Sequence, residues 1–433
     1  MWYTRVMKFS RRILPNGIRV ITVPMADHPT VTVLVAVEAG SNNESTEQNG
    51  ISHFLEHMCF KGTLKRPTSL AISREFDRIG AENNAYTSHE NTAFYAKSDR
   101  RHVSLILEII ADIYQNSTLP EIELEKEKGV IIDEMRSYED MPSRDIHDVL
   151  AKLLYGKQPA GRPIIGTTST LGVLTRNDLV AYREKFYRTE GTVVVVAGGF
   201  DESKIFEEII QHFGTVERKS GREKIAPPEL SAERVALKKK STDQAHIALA
   251  LPAFPVFHPL ARALKVVMTI LGGGMSSRLF QKIREEMGLG YYVYATADLY
   301  MSHGYGLIGT GVDPKRVREV IEVILGEMKK IVREGISQGE FDMAKDHLTG
   351  ALFLELETSD AVAEFFVNQE LKSLPLETPN ERAEKYKKLS QNDIREAAEI
   401  LFSPEKIRLA LIGPFENTGE FQPLLDSATV GVS

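Results

Sequence analysis

The chain has 433 residues, with 53 Lys and Arg against 60 Asp and Glu and a formal net charge of −7 at pH 7. This length is enough for roughly two or three domains with a large core, and the acidic balance, with both signs mixed along the chain, argues against nucleic acid as a main partner. A single cysteine excludes an intrachain disulfide and fits a reducing compartment. The first residues lack an apolar signal core and no apolar run approaches about 18 residues, so we expect a cytoplasmic protein without a membrane span.

Strand and helix patterns alternate along the chain. Runs rich in β-branched residues predict strands, and apolar residues at helical spacing or capping signals predict helices. The alternation indicates layers of sheet and helix in each half of the chain. In chain order, the patterns predict a strand over 18–23, a strand over 31–37, a helix around 53–57, a strand over 92–97, helices over 104–115 and 118–138, a strand over 192–197 and a helix over 203–213.

The most informative segment is residues 53–57, which read H-x-x-E-H. On a helix, His53 and His57 lie on one face, so both imidazoles can reach one ion. Glu56 leans toward the same face and can act on a water at that ion without being a ligand. The alternative is an amphipathic helix with two surface histidines. Because the neighbouring residues are largely apolar, we favour a buried helix whose polar groups need a metal as partner.

A catalytic zinc usually takes three protein ligands and keeps one position open. A third ligand must therefore lie elsewhere, and the helix predicted over 118–138 offers two candidates. Glu127 and Glu134 are about two helical turns apart and share a face, so spacing alone leaves either as the ligand. Other acids of this helix are expected to be solvated surface groups, namely Glu121, Glu123 and Glu125.

The string HFLEHMCFKGT, followed later by Glu134, resembles the M16 (pitrilysin-type, inverzincin) metallopeptidases. In length the chain is similar to the short two-domain subfamily that contains mitochondrial processing peptidase and its bacterial relatives. The resemblance implies one Zn²⁺ per chain, held by His53, His57 and Glu134. It also implies that Glu127 is an accessory glutamate that orients a ligand or tunes the site.

Residues 80–87, GAENNAYT, resemble the G-A-x-x-N-A-x-T segment of the same family. There, an exposed edge strand pairs with the backbone of the substrate, which is a form of β-augmentation. The resemblance implies that Asn84 and Ala85 hold the peptide as an added strand beside the zinc. The alternative is a turn, since Gly and paired Asn favour turns, and this is the interpretation adopted for Asn83.

The chain repeats itself. Residues 174–200 and 389–415 have the same length, and their Leu, Asn-Asp, Gly and final Phe recur in register. A duplicated unit explains this pattern. We therefore predict an α+β fold (α/β roll) made of two duplicated halves, each a mainly antiparallel sheet covered by helices.

The repeat also predicts where the halves lie. We expect a zinc-binding catalytic half over 1–216, a linker over 217–233 and a homologous half over 234–433. The linker is charged, lacks apolar periodicity and contains a Pro-Pro pair. Only the first half should bind zinc, because the positions equivalent to the zinc motif in the second half are Met268, Leu271 and Gly272.

The string GGGMSSRLFQKIREEMGLGYY resembles the C-terminal half of M16 proteins. The resemblance implies that Arg284 and Tyr291 bind the substrate and complete the active site. A guanidinium and a phenol can donate hydrogen bonds to the substrate carbonyl and to the oxyanion that develops on it. Tyr292 and Tyr294 are expected to be packing residues.

These patterns predict a zinc endopeptidase with Glu56 as the general base on water at the zinc, and the family resemblance implies that its substrates are short or unfolded peptides. The family resemblance implies two chains that face each other as a clamshell around a closed chamber, with the arginine and tyrosine at a given zinc supplied by the partner chain. A homodimer is the simplest expectation, and a heterodimer with a second family subunit is the other. The alternatives are a non-catalytic scaffold or binding subunit of the same fold and a zinc hydrolase of non-peptide amides.

Overall fold

Strands of the computed structural model form two sheets within the residues that it describes, 7–221 and 225–427. Most of them coincide with the Val-rich and Ile-rich runs of the sequence, which suit a sheet buried on both faces. In chain order the strands are β1 (Ser10–Ile13), β2 (Arg19–Pro24), β3 (Thr30–Val37), β4 (Glu82–Thr87), β5 (Thr92–Asp99), β6 (Thr192–Gly198), β7 (Val235–Lys239), β8 (Ala245–Ala253), β9 (Gly290–Leu299), β10 (Gly304–Val312) and β11 (Arg408–Gly413).

Helices cover both faces of these sheets. A π-helical segment, Phe280–Glu286, is an exception to their α-helical geometry. The α-helices are α1 (Ile51–Cys59), α2 (Ser69–Arg78), α3 (Val103–Asn116), α4 (Glu121–Asp140), α5 (Pro142–Tyr155), α6 (Thr168–Val173), α7 (Arg176–Phe186), α8 (Glu202–Phe213), α9 (Ala261–Gly272), α10 (Val317–Glu334), α11 (Gln338–Glu355), α12 (Ser359–Leu371), α13 (Pro379–Lys387), α14 (Gln391–Leu401) and α15 (Gln422–Ser427).

The two sheets share a topology. The six-stranded sheet has the order β1-β2-β6-β3-β5-β4, and the five-stranded sheet has the order β7-β11-β8-β10-β9. In each, one parallel pair, β2 with β6 or β7 with β11, is followed by antiparallel pairs. The second order repeats the last five positions of the first, as expected for a duplicated unit. The predicted α+β class with two sheet-and-helix halves is confirmed.

The packing divides the chain into two compact units. Unit 1 contains the described parts of 1–135, 163–225 and 352–381. Unit 2 contains those of 136–162, 226–351 and 382–433. The compact units therefore do not follow the sequence halves, because each includes a segment from the other half.

In unit 1, α12 covers one face of the six-stranded sheet. Its fully buried Val362 and Phe366 pack against Leu34 of β3 and Val195 of β6. Helix α3 packs against β3 and β5. The sheet is therefore enclosed between apolar layers, and one layer comes from the second half of the sequence.

In unit 2, α5 has the equivalent role. Leu150 and Leu154 of this helix pack against Ala248 and Ala250 of β8. The alternate residues of β8 belong to a second apolar layer with α9, because successive side chains of a strand point to opposite faces. Helix α5 comes from the first half of the sequence, so each sheet is covered by a helix of the other half.

The edge position of β4 confirms the strand predicted from the resemblance. Residues Glu82 to Thr87 pair in register with β5, and Asn83 lies opposite Ala96. The interpretation of Asn83 as part of a turn is therefore wrong, because its backbone belongs to this ladder. The other side of β4 has no neighbouring strand among the described residues. Within the same residues, no helix has both the length and the apolar composition needed to cross a bilayer.

Candidate metal centre and active site

Helix α1 begins at a sharply defined point. Gly50 has a φ of 95°, a left-handed conformation that favours glycine. A Cβ atom at Gly50 would lie 2.7 Å from the carbonyl oxygen of Ile165, so no larger residue fits without a shift. The carboxylate of Glu44 accepts hydrogen bonds from the backbone N–H groups of Gly50 and Ser52, at 2.8 and 2.9 Å. This negative charge at the N-terminus stabilises the helix and fixes its direction.

The burial of α1 decides which of its side chains can bind a ligand. Phe54, Leu55 and Met58 are fully buried. The side chains of His53 and His57 are partly accessible, with 14% and 21% exposed, and their ring centroids are 4.6 Å apart. The helix therefore buries its apolar residues and presents both imidazoles on one face, as the four-residue spacing predicted.

Glu134 of α4 completes a group of three side chains that could hold a metal ion (the metal-binding group). Its Oε2 lies 3.9 Å from Nε2 of His53 and 3.6 Å from Nε2 of His57. One ligand atom from each of the three residues lies within 4.8 Å of the others. Zinc bound tetrahedrally at about 2.1 Å would require ligand atoms about 3.4 Å apart. Two imidazole nitrogens and one carboxylate oxygen at these distances fit a zinc ion.

The surroundings of His53 favour its neutral form, which is the form that binds a metal ion. Burial, together with the charge of the nearby His57, lowers the pKa of His53 to about 4 against the opposing charge of Glu134. A neutral imidazole has a lone pair available for a metal. At neutral pH, no proton has to leave His53 before an ion can bind.

Glu127 contacts the other side of His57. Its Oε2 lies 3.2 Å from Nδ1 of His57, and its Oε1 lies 2.6 Å from Nζ of Lys61. Burial acts to raise the pKa of Glu127, but the hydrogen bonds from His57 and Lys61 outweigh it and lower that pKa overall. The two candidates on α4 thus differ in position. Glu134 lies beside Nε2 of both histidines, and Glu127 lies beside Nδ1 of one, where it can orient the ring.

Glu56 lies next to the metal-binding group and is only 8% exposed. The hydroxyl of Thr87 donates a hydrogen bond of 2.6 Å to its Oε2. Burial raises the pKa of Glu56, while the hydrogen bond from Thr87 acts in the opposite direction. A raised pKa makes this carboxylate a better proton acceptor than an exposed glutamate.

The candidate peptide-binding residues Asn84 and Ala85 lie on β4, the edge strand of the six-stranded sheet. The N–H of Ala85 donates to Oδ1 of Asn84 at 2.9 Å, which covers a donor that an added strand would use. Tyr86 donates to Glu364 of α12 at 2.9 Å. Because side chains alternate along a strand, Asn84 shares the face of Tyr86. Ala85 shares the face of Thr87, which contacts α1.

Arg284 and Tyr291 lie together in unit 2. Nη1 of Arg284 donates to the carbonyl oxygen of Tyr291 at 2.9 Å, and its guanidinium lies 5.1 Å from the ring centre of Phe280. Tyr291 is 75% exposed. Arg284 belongs to the π-helical segment, a geometry that is frequent at functional sites. Tyr292 has a hydrogen bond to His246 and is half-buried, in keeping with a packing role.

The position of the second half that is equivalent to the zinc motif contains no ligands. Met268 and Leu271 are buried core residues of α9. Among the described residues, the group of His53, His57 and Glu134 is the one found that could hold a metal ion.

Sequence reasoning did not assign roles to two residues that contact the site. Lys61 belongs to the string HFLEHMCFKGT, and Thr87 ends the motif G-A-x-x-N-A-x-T. Both were therefore present in the segments used for the family resemblance. Their contacts with Glu127 and Glu56 could not be derived from spacing, because each joins two elements that are distant in the chain.

Comparison with known proteins identifies the family. The sequence profile described as "Insulinase (Peptidase family M16)" matches residues 19–168, and the profile "Peptidase M16 inactive domain" matches residues 174–348. The chain is similar to "Uncharacterized zinc protease YmxG" of Bacillus subtilis, with 36% identity over 93% of this chain and 97% of that protein. It is also similar to an uncharacterized zinc protease of Streptomyces coelicolor, with 31% identity over 94% of this chain and 90% of that protein.

Solved structures show the same fold. A protease from Helicobacter pylori has a TM-score of 0.88 and 23% identity, and the match covers 95% of this chain and 100% of the other. A structure from Pseudomonas fluorescens, described as a peptidase M16 inactive domain, has a TM-score of 0.88 and 19% identity over 95% of this chain and 98% of the other.

A sheet-and-helix fold in two units, with two histidines on an H-x-x-E-H helix and a glutamate from a second helix beside them, is typical of the inverted-motif class of metallopeptidases. The chain belongs to the M16 family, in its short two-domain form. The names of its relatives support a zinc metallopeptidase.

Proposed function

We propose that the protein is a zinc-dependent endopeptidase that cleaves short or unfolded peptides bound as an added strand along β4. The observation that carries the proposal is the convergence of His53, His57 and Glu134, with Glu56 on the same helix as the two histidines. These four groups supply three ligands and one base. A bound zinc would polarise the scissile carbonyl and acidify the attacking water.

Glu56 is the proposed general base. With Oε2 occupied by the hydroxyl of Thr87, Oε1 is the oxygen that takes the proton of the attacking water. Glu56 then passes this proton to the leaving amine. Burial raises the pKa of Glu56. A raised pKa strengthens the carboxylate as a base in the first step, and it favours the protonated form that donates to the amine in the second.

Glu127 and Lys61 are proposed to hold His57 in one tautomer. With its proton on Nδ1, His57 donates to Oε2 of Glu127 and keeps the Nε2 lone pair toward Glu134 and His53. Lys61 neutralises the charge of Glu127 and prevents that carboxylate from turning away.

The peptide is proposed to bind by β-augmentation. The unpaired side of β4 offers backbone donors and acceptors that do not depend on the side chains of the substrate. When a peptide binds, the N–H of Ala85 would exchange the oxygen of Asn84 for a peptide carbonyl. Strand addition requires an extended segment, which favours short or unfolded substrates.

Arg284 and Tyr291 are proposed to donate to the substrate carbonyl and to the developing oxyanion. Following the family architecture, we propose that they serve the zinc of a partner chain in a homodimer that encloses a chamber. A heterodimer with a second family subunit is the other arrangement.

The function is tested by metal analysis together with a Glu56→Gln variant in a peptide-cleavage assay. Wild type should bind one zinc per chain and cleave an unfolded peptide. The variant should bind zinc equally well and lose cleavage, since the amide cannot accept a proton. If the zinc-loaded wild type and the variant are equally inert, the protein is a scaffold or binding subunit of this fold.

A further inference from the structure

Thr87 connects the peptide-binding strand with the proposed base. It is the last residue of β4, on the same face as Ala85, and its Oγ1 lies 2.6 Å from Oε2 of Glu56. An ionised carboxylate has no proton to give, so the hydroxyl of Thr87 is the donor. A distance of 2.6 Å is typical of a charge-assisted hydrogen bond between a hydroxyl and a carboxylate.

The surroundings of Glu56 make this hydrogen bond important. Its side chain is 8% exposed, so bulk water does little to hold the carboxylate in place. Among the described residues, Thr87 is the hydrogen-bond donor to that carboxylate. The backbone of α1 is fixed by Glu44 and by core packing, but the rotatable side chain of Glu56 needs a contact of its own.

The rest of the β4–β5 hairpin fixes the donor. Thr87 pairs with Thr92 in the ladder, and the two hydroxyl oxygens are 3.5 Å apart. Thr92 donates its proton to the carbonyl oxygen of Ala39 at 2.8 Å. The hydroxyl of Thr87 lies much closer to Oε2 of Glu56, at 2.6 Å, than to the hydroxyl of Thr92, so its proton goes to Glu56.

We propose that Thr87 is a positioning residue, which holds Oε2 of Glu56 so that Oε1 faces the reacting water and which ties the base to the strand where the peptide docks. The inference rests on the proposed peptidase function. It has a consequence for substrate choice: the base is aligned relative to the backbone of β4, so an extended peptide paired along β4 is aligned with it.

The activity test compares three variants of the full-length protein. Thr87→Val removes the hydroxyl and keeps the β-branched shape, so kcat should fall by about tenfold to a hundredfold with KM nearly unchanged. Thr87→Ser retains the hydroxyl and should recover most of the kcat. Thr22→Val is the matched control, because it removes a threonine hydroxyl that donates to a different carboxylate, that of Glu202, at 3.0 Å and contacts neither Thr87 nor Glu56.

A second test needs neither zinc nor activity. In the metal-free protein, the midpoint of urea unfolding is measured for wild type, Thr87→Val, Glu56→Ala and the double variant. Removing the donor leaves a buried carboxylate unsatisfied, so Thr87→Val should lower the midpoint more in the presence of Glu56 than in its absence. Additive effects of the two substitutions would show that the hydrogen bond does not stabilise the protein and would overturn the proposal.

The remaining outcomes are also decisive. An unchanged kcat in Thr87→Val, or a rise in KM alone, would show that Thr87 does not position the base. Equal losses in Thr87→Val and Thr87→Ser would assign the effect to packing and not to the hydroxyl. If zinc-loaded wild type is inert, the peptidase proposal fails, and the urea measurement still decides whether Thr87 holds Glu56.

Discussion

Lys61 and Glu127 form an ion pair in which Nζ lies 2.6 Å from Oε1, and the same carboxylate reaches Nδ1 of His57 through its other oxygen. A cation, an anion and an imidazole are thus arranged in a row that ends at the metal-binding group. The carboxylate is 6% exposed and the lysine 23%, so neither charge is well screened by solvent. The row gives Lys61 an indirect influence on how His57 is held.

The first prediction concerns zinc affinity. Lys61→Met should weaken zinc binding by about tenfold, because Glu127 loses the cation that keeps it in place beside His57. Lys61→Arg should retain most of the affinity. Competition with a chelating dye measures the dissociation constant. The control is Lys65→Met, which removes a more exposed lysine paired with Glu108 away from the metal-binding group. Wild-type affinity in Lys61→Met would contradict the role given to the row.

The second prediction concerns the peptide-binding strand. Ala85→Pro removes the N–H that now donates to Asn84, and proline is tolerated on an edge strand where the N–H does not face the ladder. The variant should fold and bind zinc, but its affinity for an uncleaved peptide should fall by about tenfold, since one backbone hydrogen bond is lost. The measurement uses the Glu56→Gln background and a fluorescent peptide. Ala85→Ser keeps the N–H and serves as control; equal affinities in both variants would exclude this donor.

The third prediction concerns the proposed homodimer. Glu56→Gln and Arg284→Ala should each be inactive alone. Their mixture should regain about one quarter of wild-type activity if chains re-pair randomly, because half of the dimers are mixed and each mixed dimer has one intact site. Gel filtration with an activity profile across the dimer peak measures this. A mixture as inactive as its components would mean that Arg284 serves the zinc of its own chain or none.

The fourth prediction concerns acid stability of unit 2. Glu340 accepts two hydrogen bonds from Arg278, which are the largest cause lowering its pKa from 4.5 to about 2. A carboxylate with a lowered pKa in the folded state contributes stability that is complete above about pH 4.5 and is lost as the pH falls toward about 2. Glu340→Gln should therefore destabilise the protein at pH 7 and have little effect near pH 2.

The expected destabilisation at pH 7 is about 1 kcal/mol, less than the full shift in pKa would give, because Glu340 is partly exposed. Urea unfolding at several pH values gives the difference between wild type and variant. The control is Glu322→Gln, which breaks an exposed pair with Arg318 and should change stability little at any pH. A difference that stays constant down to pH 2 would exclude the ion pair as its origin.

The pairing of the two candidate metal ligands on α1 could be predicted from the sequence, because helical geometry alone places His53 and His57 on one face. The third ligand could not be chosen in the same way. Glu127 and Glu134 share a face of α4, and only the packing of α4 against α1 shows that one lies beside Nε2 and the other beside Nδ1. The family resemblance supplied the assignment that spacing left open.

Strand and helix positions were predicted closely, since buried β-branched runs and capping signals are local features. The composition of the compact units was not predictable from the repeat. The apolar faces of α5 and α12 show that each must be buried, but not against which sheet. Thr87 and Lys61 illustrate the same difficulty within the site, because a hydrogen bond across two elements depends on how these elements meet.

The placement of α12 over β3 and β6 has a consequence for folding during synthesis of the chain. A nascent chain that has left the ribosome only as far as residues 217–233 already contains all six strands of the first sheet, yet one face still awaits Phe366 and its neighbours. Packing of unit 1 therefore cannot be completed until nearly the whole polypeptide has been synthesised. A chain that ends before α12 would expose this apolar face of the sheet to chaperones. We do not expect such a fragment to work as an independent enzyme.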